Sequence, residues 1–167
     1  MAALEPGTRA PKFSLPDDKG HAHSLSEGLA KGPVLLVFFK VSCPTCQYAL
    51  PFFERLHQRL AGAPLSLWAV SQNPLDHTNA FRREFGVETL PALFDSDDEG
   101  YPVSNAYGIS HVPTSFLIEP DGKISLSGVG WSQDDTAAMA RRLGQAGGEP
   151  ALTLFGPQEN VLAFRPG

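Results

Sequence analysis

The sequence predicts an α/β fold built around a parallel strand pair, and three observations lead there. Val34-Leu-Leu-Val-Phe-Phe39 is a run of β-branched and aromatic residues, apolar on both faces, as a central strand covered on both sides requires. Leu50, Phe53, Leu56 and Leu60 then recur at three- and four-residue steps, so a helix with one core-facing stripe follows. Leu65-Ser-Leu-Trp-Ala-Val70 reads as the next strand, and a strand–helix–strand passage of this kind closes as a right-handed crossover with its strands parallel.

The chain has 167 residues, near the ~150 of one domain, so a single unit spanning residues 1–167 is expected. Hydrophobic residues make up 42% and charged residues 19%, enough apolar material for a core and too much for general disorder. Thirteen Lys plus Arg against eighteen Asp plus Glu give a net charge of −5 with no basic run. That argues against nucleic acid and anionic membrane surfaces as partners. The longest apolar stretch, Val34 to Phe39, falls far short of the ~20 residues of a transmembrane helix, so no membrane insertion is expected. Met1-Ala-Ala-Leu-Glu-Pro-Gly7 lacks the charged and apolar regions of a secretory leader. A cytoplasmic location is therefore expected, with an exported protein trimmed of its leader as the alternative.

The remaining elements follow from local signals. Pro11 to Leu15 and His21 to Leu25 are half-apolar segments around the turn formers Pro16-Asp-Asp-Lys-Gly20, which suggests an N-terminal hairpin. Pro51 falls inside the helix that follows the cysteines and should kink it. Asn73-Pro74 can cap and start a second helix with Phe81 and Phe85 on one stripe and Gly86 as its stop. Leu90 to Phe94 is a short apolar piece, Asp95 to Gly100 an acidic loop, and Ser104 to Tyr107 a single helical turn closed by Gly108. Thr114 to Ile118 and Lys123 to Val129 flank Pro120-Asp-Gly-Lys123 and form an antiparallel hairpin. Ser132-Gln-Asp-Asp135 resembles a capping box for a last helix carrying Met139 and Leu143 and ending at Gly147-Gly148. Leu152 to Gly167 has no period and reads as a short strand or docked tail of unassigned role.

The chemistry sits in the two cysteines, Cys43-Pro-Thr-Cys46, placed where the buried strand turns into the helix. A sulfur at a helix start faces unpaired backbone N–H groups, which favours its charged, nucleophilic form. Cys46, one helical turn away, is spaced to resolve a mixed disulfide formed at Cys43. Two alternatives stand beside redox chemistry, a half-formed zinc site and two inert core cysteines. Zinc normally takes four ligands, and here there is no second cysteine pair and no ligand spacing among the histidines at 21, 23, 57, 77 and 111.

Val34 through Cys46 followed by Pro51, then Val112-Pro-Thr-Ser-Phe-Leu-Ile118 with Asp121-Gly122-Lys123, resembles the thioredoxin-like superfamily. Within it, Ala10-Pro-Lys-Phe-Ser-Leu15 and the long segment before Val112 resemble the redoxin and AhpC/TSA branch, which includes TlpA- and ResA-like thiol-disulfide oxidoreductases. The resemblance covers about residues 7–148, leaving about 149–167 as a tail. It implies a three-layer α/β/α sandwich with a mixed central sheet and an N-terminal hairpin extension. It implies Cys43 as attacking thiolate, Cys46 as resolving thiol, and Pro44, Thr45, Val112 and Pro113 as the active-site loops that meet substrate. Pro113 matches the family's cis-proline, and with Thr114 and a strand following at the right distance the cis form is expected over a trans proline starting a strand. Protein or small-molecule disulfides and thiols would be the partners, with a separate electron donor or acceptor, and neither a cofactor nor a metal is called for.

Some residues depart from the pattern. Ser42 stands where many relatives carry tryptophan, and Val37 where thioredoxin itself has a buried aspartate that assists proton transfer. Proton transfer then falls to another group or to water. Lys40 and His111 are candidate modulators of the thiols, although each also fits a solvated surface position.

Two other functions remain open at this stage. A peroxiredoxin-type peroxidase needs a P-x-x-x-[TS]-x-x-C setting; counting back from Cys43 gives Lys40 and Leu36, and from Cys46 gives Cys43 and Phe39. Neither cysteine meets it. A non-catalytic module would use Cys43, Cys46 and His111 to hold a soft cation such as Cu(I), or bind a partner without turnover. The direction of electron flow is not set by composition, since potentials across such folds run from roughly −270 mV to −120 mV.

Overall fold

The computed structural model describes residues 2–167; Met1, with which the leader reading begins, lies outside the described residues. Strands β1 (Ser14–Pro16) and β2 (Ala22–Ser24) pair antiparallel as the N-terminal hairpin. Its turn is tied by the Asp17 carboxylate, which accepts from the Lys19 and His21 amides at 2.9 Å each and meets His23 Nε2 at 2.8 Å. The second strand stops one residue short of expectation, because Leu25 opens helix α1 (Leu25–Lys31). Ser24 caps that helix, its hydroxyl accepting from the Glu27 amide at 3.1 Å, the arrangement favoured by a Ser-x-x-Glu sequence.

Strand β3 (Val34–Phe39) is buried at all six positions. Successive strand side chains point to opposite faces, so both sides of the sheet are covered and the molecule is layered α/β/α. Helix α2 (Pro44–Arg59) crosses to β4 (Ser66–Ser71), which lies parallel to β3. Leu50, Phe53 and Leu56 form its buried face, and it remains helical through Pro51. Helix α2 also carries Glu54, only 3% exposed. Its carboxylate accepts from the Thr89 and Leu90 amides and the Gln58 side chain at 2.9 Å each, and from the Thr89 hydroxyl. Burial works to raise its pKa, and these donors outweigh burial and hold it below the ordinary glutamate range.

Helix α3 (Leu75–Phe85) ends at Gly86, in a left-handed conformation with φ 69°. Its N-cap is Pro74, without a side-chain bond, so Asn73 does not cap the helix as the sequence suggests. Strand β5 (Ala92–Phe94) extends the sheet parallel to β4. The acidic loop contains a 3₁₀ turn at Asp97–Glu99 and leads to the short helix α4 (Pro102–Ala106), which starts two residues earlier than expected. Buried Asp95 holds that helix by accepting from the Val103 and Ser104 amides at 3.3 and 2.7 Å.

Strands β6 (Thr114–Ile118) and β7 (Ile124–Val129) form the expected antiparallel hairpin. With β6 antiparallel to β3, the sheet order is β5-β4-β3-β6-β7 and the sheet is mixed. Strand β8 (Trp131–Ser132) precedes helix α5 (Gln133–Ala146), which Ser132 caps through the Asp135 amide at 3.1 Å. Residues after α5 return along α2. Arg55 pairs with Glu159 through two 2.8 Å bonds, Trp131 Nε1 donates to the Leu162 carbonyl at 2.7 Å, and the Leu162 amide donates to Tyr48 Oη at 2.9 Å. Strand β9 (Phe164–Arg165) then pairs antiparallel with β8, so the aperiodic segment is a docked tail closed by a strand.

Candidate active site

The wholly buried β3 delivers the chain to one end of the sheet, where α2 begins. Cys43 is the N-cap of α2 and Pro44 its first residue, a position that suits proline because the missing N–H has no partner there anyway. The cap bond is made by sulfur: the Cys46 amide donates to Cys43 Sγ at 3.1 Å. A backbone donor is thus aimed at the atom on which thiolate charge resides. Cys43 is half-buried, Pro44 and Ser42 are exposed, and Thr45 and Cys46 are buried. Both cysteines are free thiols.

The loop ahead of Cys43 is pinned by Asn73, which the sequence suggests only as a helix cap, and by Gln47, for which the sequence suggests no role. Asn73 Oδ1 accepts from the Val41 amide at 2.9 Å, and Gln47 Nε2 donates to the Val41 carbonyl at 3.1 Å. Asn73 resembles a helix cap because it precedes Pro74, but Pro74 itself takes the N-cap position of α3 and the Asn73 side chain bonds the Val41 amide. No sequence pattern links position 73 to position 41.

The second wall of the site comes from the loop before β6. The Val112–Pro113 peptide is cis. The Cys43 thiol donates to the Val112 carbonyl at 3.3 Å, which places this loop directly against the cysteine. Gly130, with φ 74°, donates its amide to the Pro113 carbonyl at 2.7 Å and closes the loop onto the end of β7.

The two sulfurs differ in their surroundings. Cys46 is fully buried, and that burial pushes its thiol far above the usual cysteine range, with its hydrogen bond to Cys43 adding to the rise. The backbone and ammonium group of Lys40 pull the other way. The Lys40 side chain is itself exposed. Val37 is buried in β3 between Ala69 and Ser115 of the flanking strands, so this position supplies no carboxylate to Cys46.

His111 is exposed and its Nδ1 meets Ser110 Oγ at 3.0 Å. With Lys40, Gln72 and Val112 it lines a cleft of about 60 Å³. Among the described residues no group of three or more His, Cys, Asp or Glu is placed to hold a metal ion, so the structure does not assemble Cys43, Cys46 and His111 as a ligand set.

The dithiol at a strand-to-helix junction, facing a proline loop, has recognisable relatives. Residues 6–127 match the AhpC/TSA family. The chain belongs to the AhpC/TSA family. The thiol-disulfide oxidoreductase ResA of Geobacillus kaustophilus is 34% identical over 123 residues, 73% of this chain and 68% of that protein. The ResA of Bacillus subtilis is 30% identical over 123 residues, 73% of this chain and 66% of its own. Among solved structures, the thioredoxin domain of a thiol-disulfide oxidoreductase from Bacteroides vulgatus superposes with a TM-score of 0.73 at 21% identity, covering 84% of this chain and 99% of that one. A thiol:disulfide interchange protein from Bacteroides sp. gives 0.71 at 19% identity, covering 95% of each chain. These structures establish the thioredoxin fold. Among the described residues of this AhpC/TSA chain, no helix is long and apolar enough to cross a membrane.

Proposed function

We propose that this chain is a thiol-disulfide oxidoreductase in which Cys43 attacks and Cys46 resolves. The observation that carries the reading is the asymmetry of the pair: Cys43 is half-buried with a backbone N–H on its sulfur, while Cys46 is sealed behind it. Only one sulfur is open to a partner, and the other is positioned to attack the first.

In the reducing direction, the Cys43 thiolate attacks one sulfur of a partner disulfide. The partner's S–S bond breaks, and its departing thiolate takes up a proton. Cys46 then gives up its proton and attacks Cys43 Sγ, forming the Cys43–Cys46 disulfide and releasing the second partner thiol. Two electrons and two protons pass to the partner. A second dithiol, running the same steps in reverse, restores the pair. Because burial keeps Cys46 protonated, the resolving step requires a base, and water or the departing thiolate fills that role in the absence of a buried carboxylate at Val37.

Protein and small-molecule disulfides are the partners, with Pro44, Thr45, Val112 and Pro113 forming the surface around Cys43. Residues 1–167 act as one domain, in which the core of about residues 7–148 carries the dithiol and the tail packs beside it. The test is trapping. Cys46→Ser is expected to accumulate a mixed disulfide with a model substrate, and Cys43→Ser to form none. Adduct in both variants, or in neither, contradicts the assigned roles.

A further inference from the structure

Residues 166 and 167 lie on the backbone that borders Cys43. Thr45, between the two cysteines, donates its hydroxyl to the Pro166 carbonyl at 2.7 Å. Gly167 lies so close to Val112 that a Cβ there would overlap the Val112 carbonyl. That carbonyl is the one that accepts the Cys43 thiol. At the other end of the loop, a Cβ at Gly130 would come within 2.7 Å of the Arg165 carbonyl. Glycine on both sides thus lets two stretches of bare backbone approach closely over the proline loop. The Val112 amide meanwhile has no hydrogen-bond partner among the described residues.

We propose that Phe164–Gly167 is a strap seated in the groove where a substrate chain must lie, and that a protein disulfide reaches Cys43 by displacing it. The inference rests on the exchange reaction proposed above. A polypeptide that presents a disulfide to Cys43 has to bring its backbone against the surface around that sulfur, and Val112 is the backbone on that surface. An extended segment of this chain already occupies it.

The strap is built to come away without unfolding the tail. Its own strand is two residues long. The firmer attachments lie upstream, at Arg55–Glu159 and Trp131–Leu162, and remain when the last residues lift. Phe164 is 61% exposed, so the strap has little apolar surface holding it down. A small disulfide needs only the half-buried sulfur, whereas a polypeptide needs the groove. The strap therefore discriminates by substrate size, and the apparent reactivity toward protein substrates is lowered by the fraction of molecules in which it is closed.

The test uses the full chain with Gly167→Leu, whose side chain has no room against Val112, and a second variant ending at Arg165. Two rates are read from the reduced protein, one with insulin and one with the small aromatic disulfide 5,5′-dithiobis(2-nitrobenzoate). Both variants are expected to reduce insulin about tenfold faster than the parent while the small disulfide changes less than about twofold. Unchanged insulin rates, or equal acceleration of both substrates, overturn the strap. A parent and variants that reduce neither substrate overturn the oxidoreductase reading itself, whatever the strap does.

Discussion

The Cys43 thiol and the Val112 carbonyl meet at 3.3 Å across a sequence separation of 69 residues, and this contact joins the two loops that make the site. One loop is the end of the parallel crossover unit, and the other precedes the antiparallel hairpin. The mixed sheet is what brings them together: β6 runs antiparallel to β3 with Phe38 opposite Thr114, so the loop after β3 and the loop before β6 lie at the same end of the sheet.

Burial of Cys46 sets the pH dependence of the resolving step. Its thiol pKa is raised far above the ordinary value, so at neutral pH the thiolate is a small fraction that grows about tenfold per pH unit. Closure of the Cys43–substrate mixed disulfide is expected to accelerate with that slope from pH 6 to pH 9, measured by rapid acid quench and mass analysis. A rate that levels off below pH 8 would show that Cys46 is not held protonated.

Asn73→Ala removes the acceptor of the Val41 amide and leaves that group without its bond. A lost bond of this type costs about 1–3 kcal/mol. The urea midpoint should fall accordingly, and alkylation of Cys43 by iodoacetamide should change in rate because its loop is no longer fixed. Wild-type values for both would mean that Asn73 plays no part in placing Cys43.

Acid should loosen the tail before it unfolds the core. Glu159 is held at about 2 by its bonds with Arg55 and the Gly156 amide. A carboxylate depressed on folding contributes its stabilisation above the ordinary glutamate value, and the contribution is lost as pH falls toward the folded value. Protection of the Leu162 amide, which bonds Tyr48, against hydrogen exchange should therefore fall between about pH 4 and pH 2 ahead of that of amides in β3. Simultaneous loss of protection in both would place the tail within the cooperative core.

Hydrogen peroxide should be a poor substrate despite the family membership. Lys40 stands where a peroxide-polarising hydroxyl would be needed, and it is exposed. Consumption of peroxide by the reduced protein should be no faster than by an equal concentration of simple thiol at the same pH. Rapid second-order consumption that depends on Cys43 would make peroxidase chemistry the leading function.

Much of this was legible in sequence because it is local. The six-residue apolar run, the stripe Leu50, Phe53, Leu56 and the Pro120-Asp-Gly turn each determine an element by themselves, and the cysteine spacing marks the junction between two of them. Helix α1 carried its own signal in Ser24-Leu-Ser-Glu27, concealed because the neighbouring apolar Leu25 also fits a strand. Asn73's bond and the tail were not legible, because their roles are long-range: Asn73 meets a backbone amide 32 residues away, and Thr45 meets the Pro166 carbonyl 121 residues away. An aperiodic segment such as Leu152 to Gly167 gives no face to read, and its docking is decided by Trp131, Tyr48 and Arg55 elsewhere in the chain.

The central claim is that Cys43 and Cys46 form a reversible redox couple, and it is tested most directly by equilibrating the protein in graded dithiothreitol or glutathione buffers and counting alkylated thiols by mass. A single two-electron transition is expected between a form with two alkylated cysteines and a form with none, at a potential that gives the direction of electron flow. Persistence of two alkylated thiols under every oxidising condition, or oxidation only to glutathione adducts and intermolecular disulfides, would contradict it.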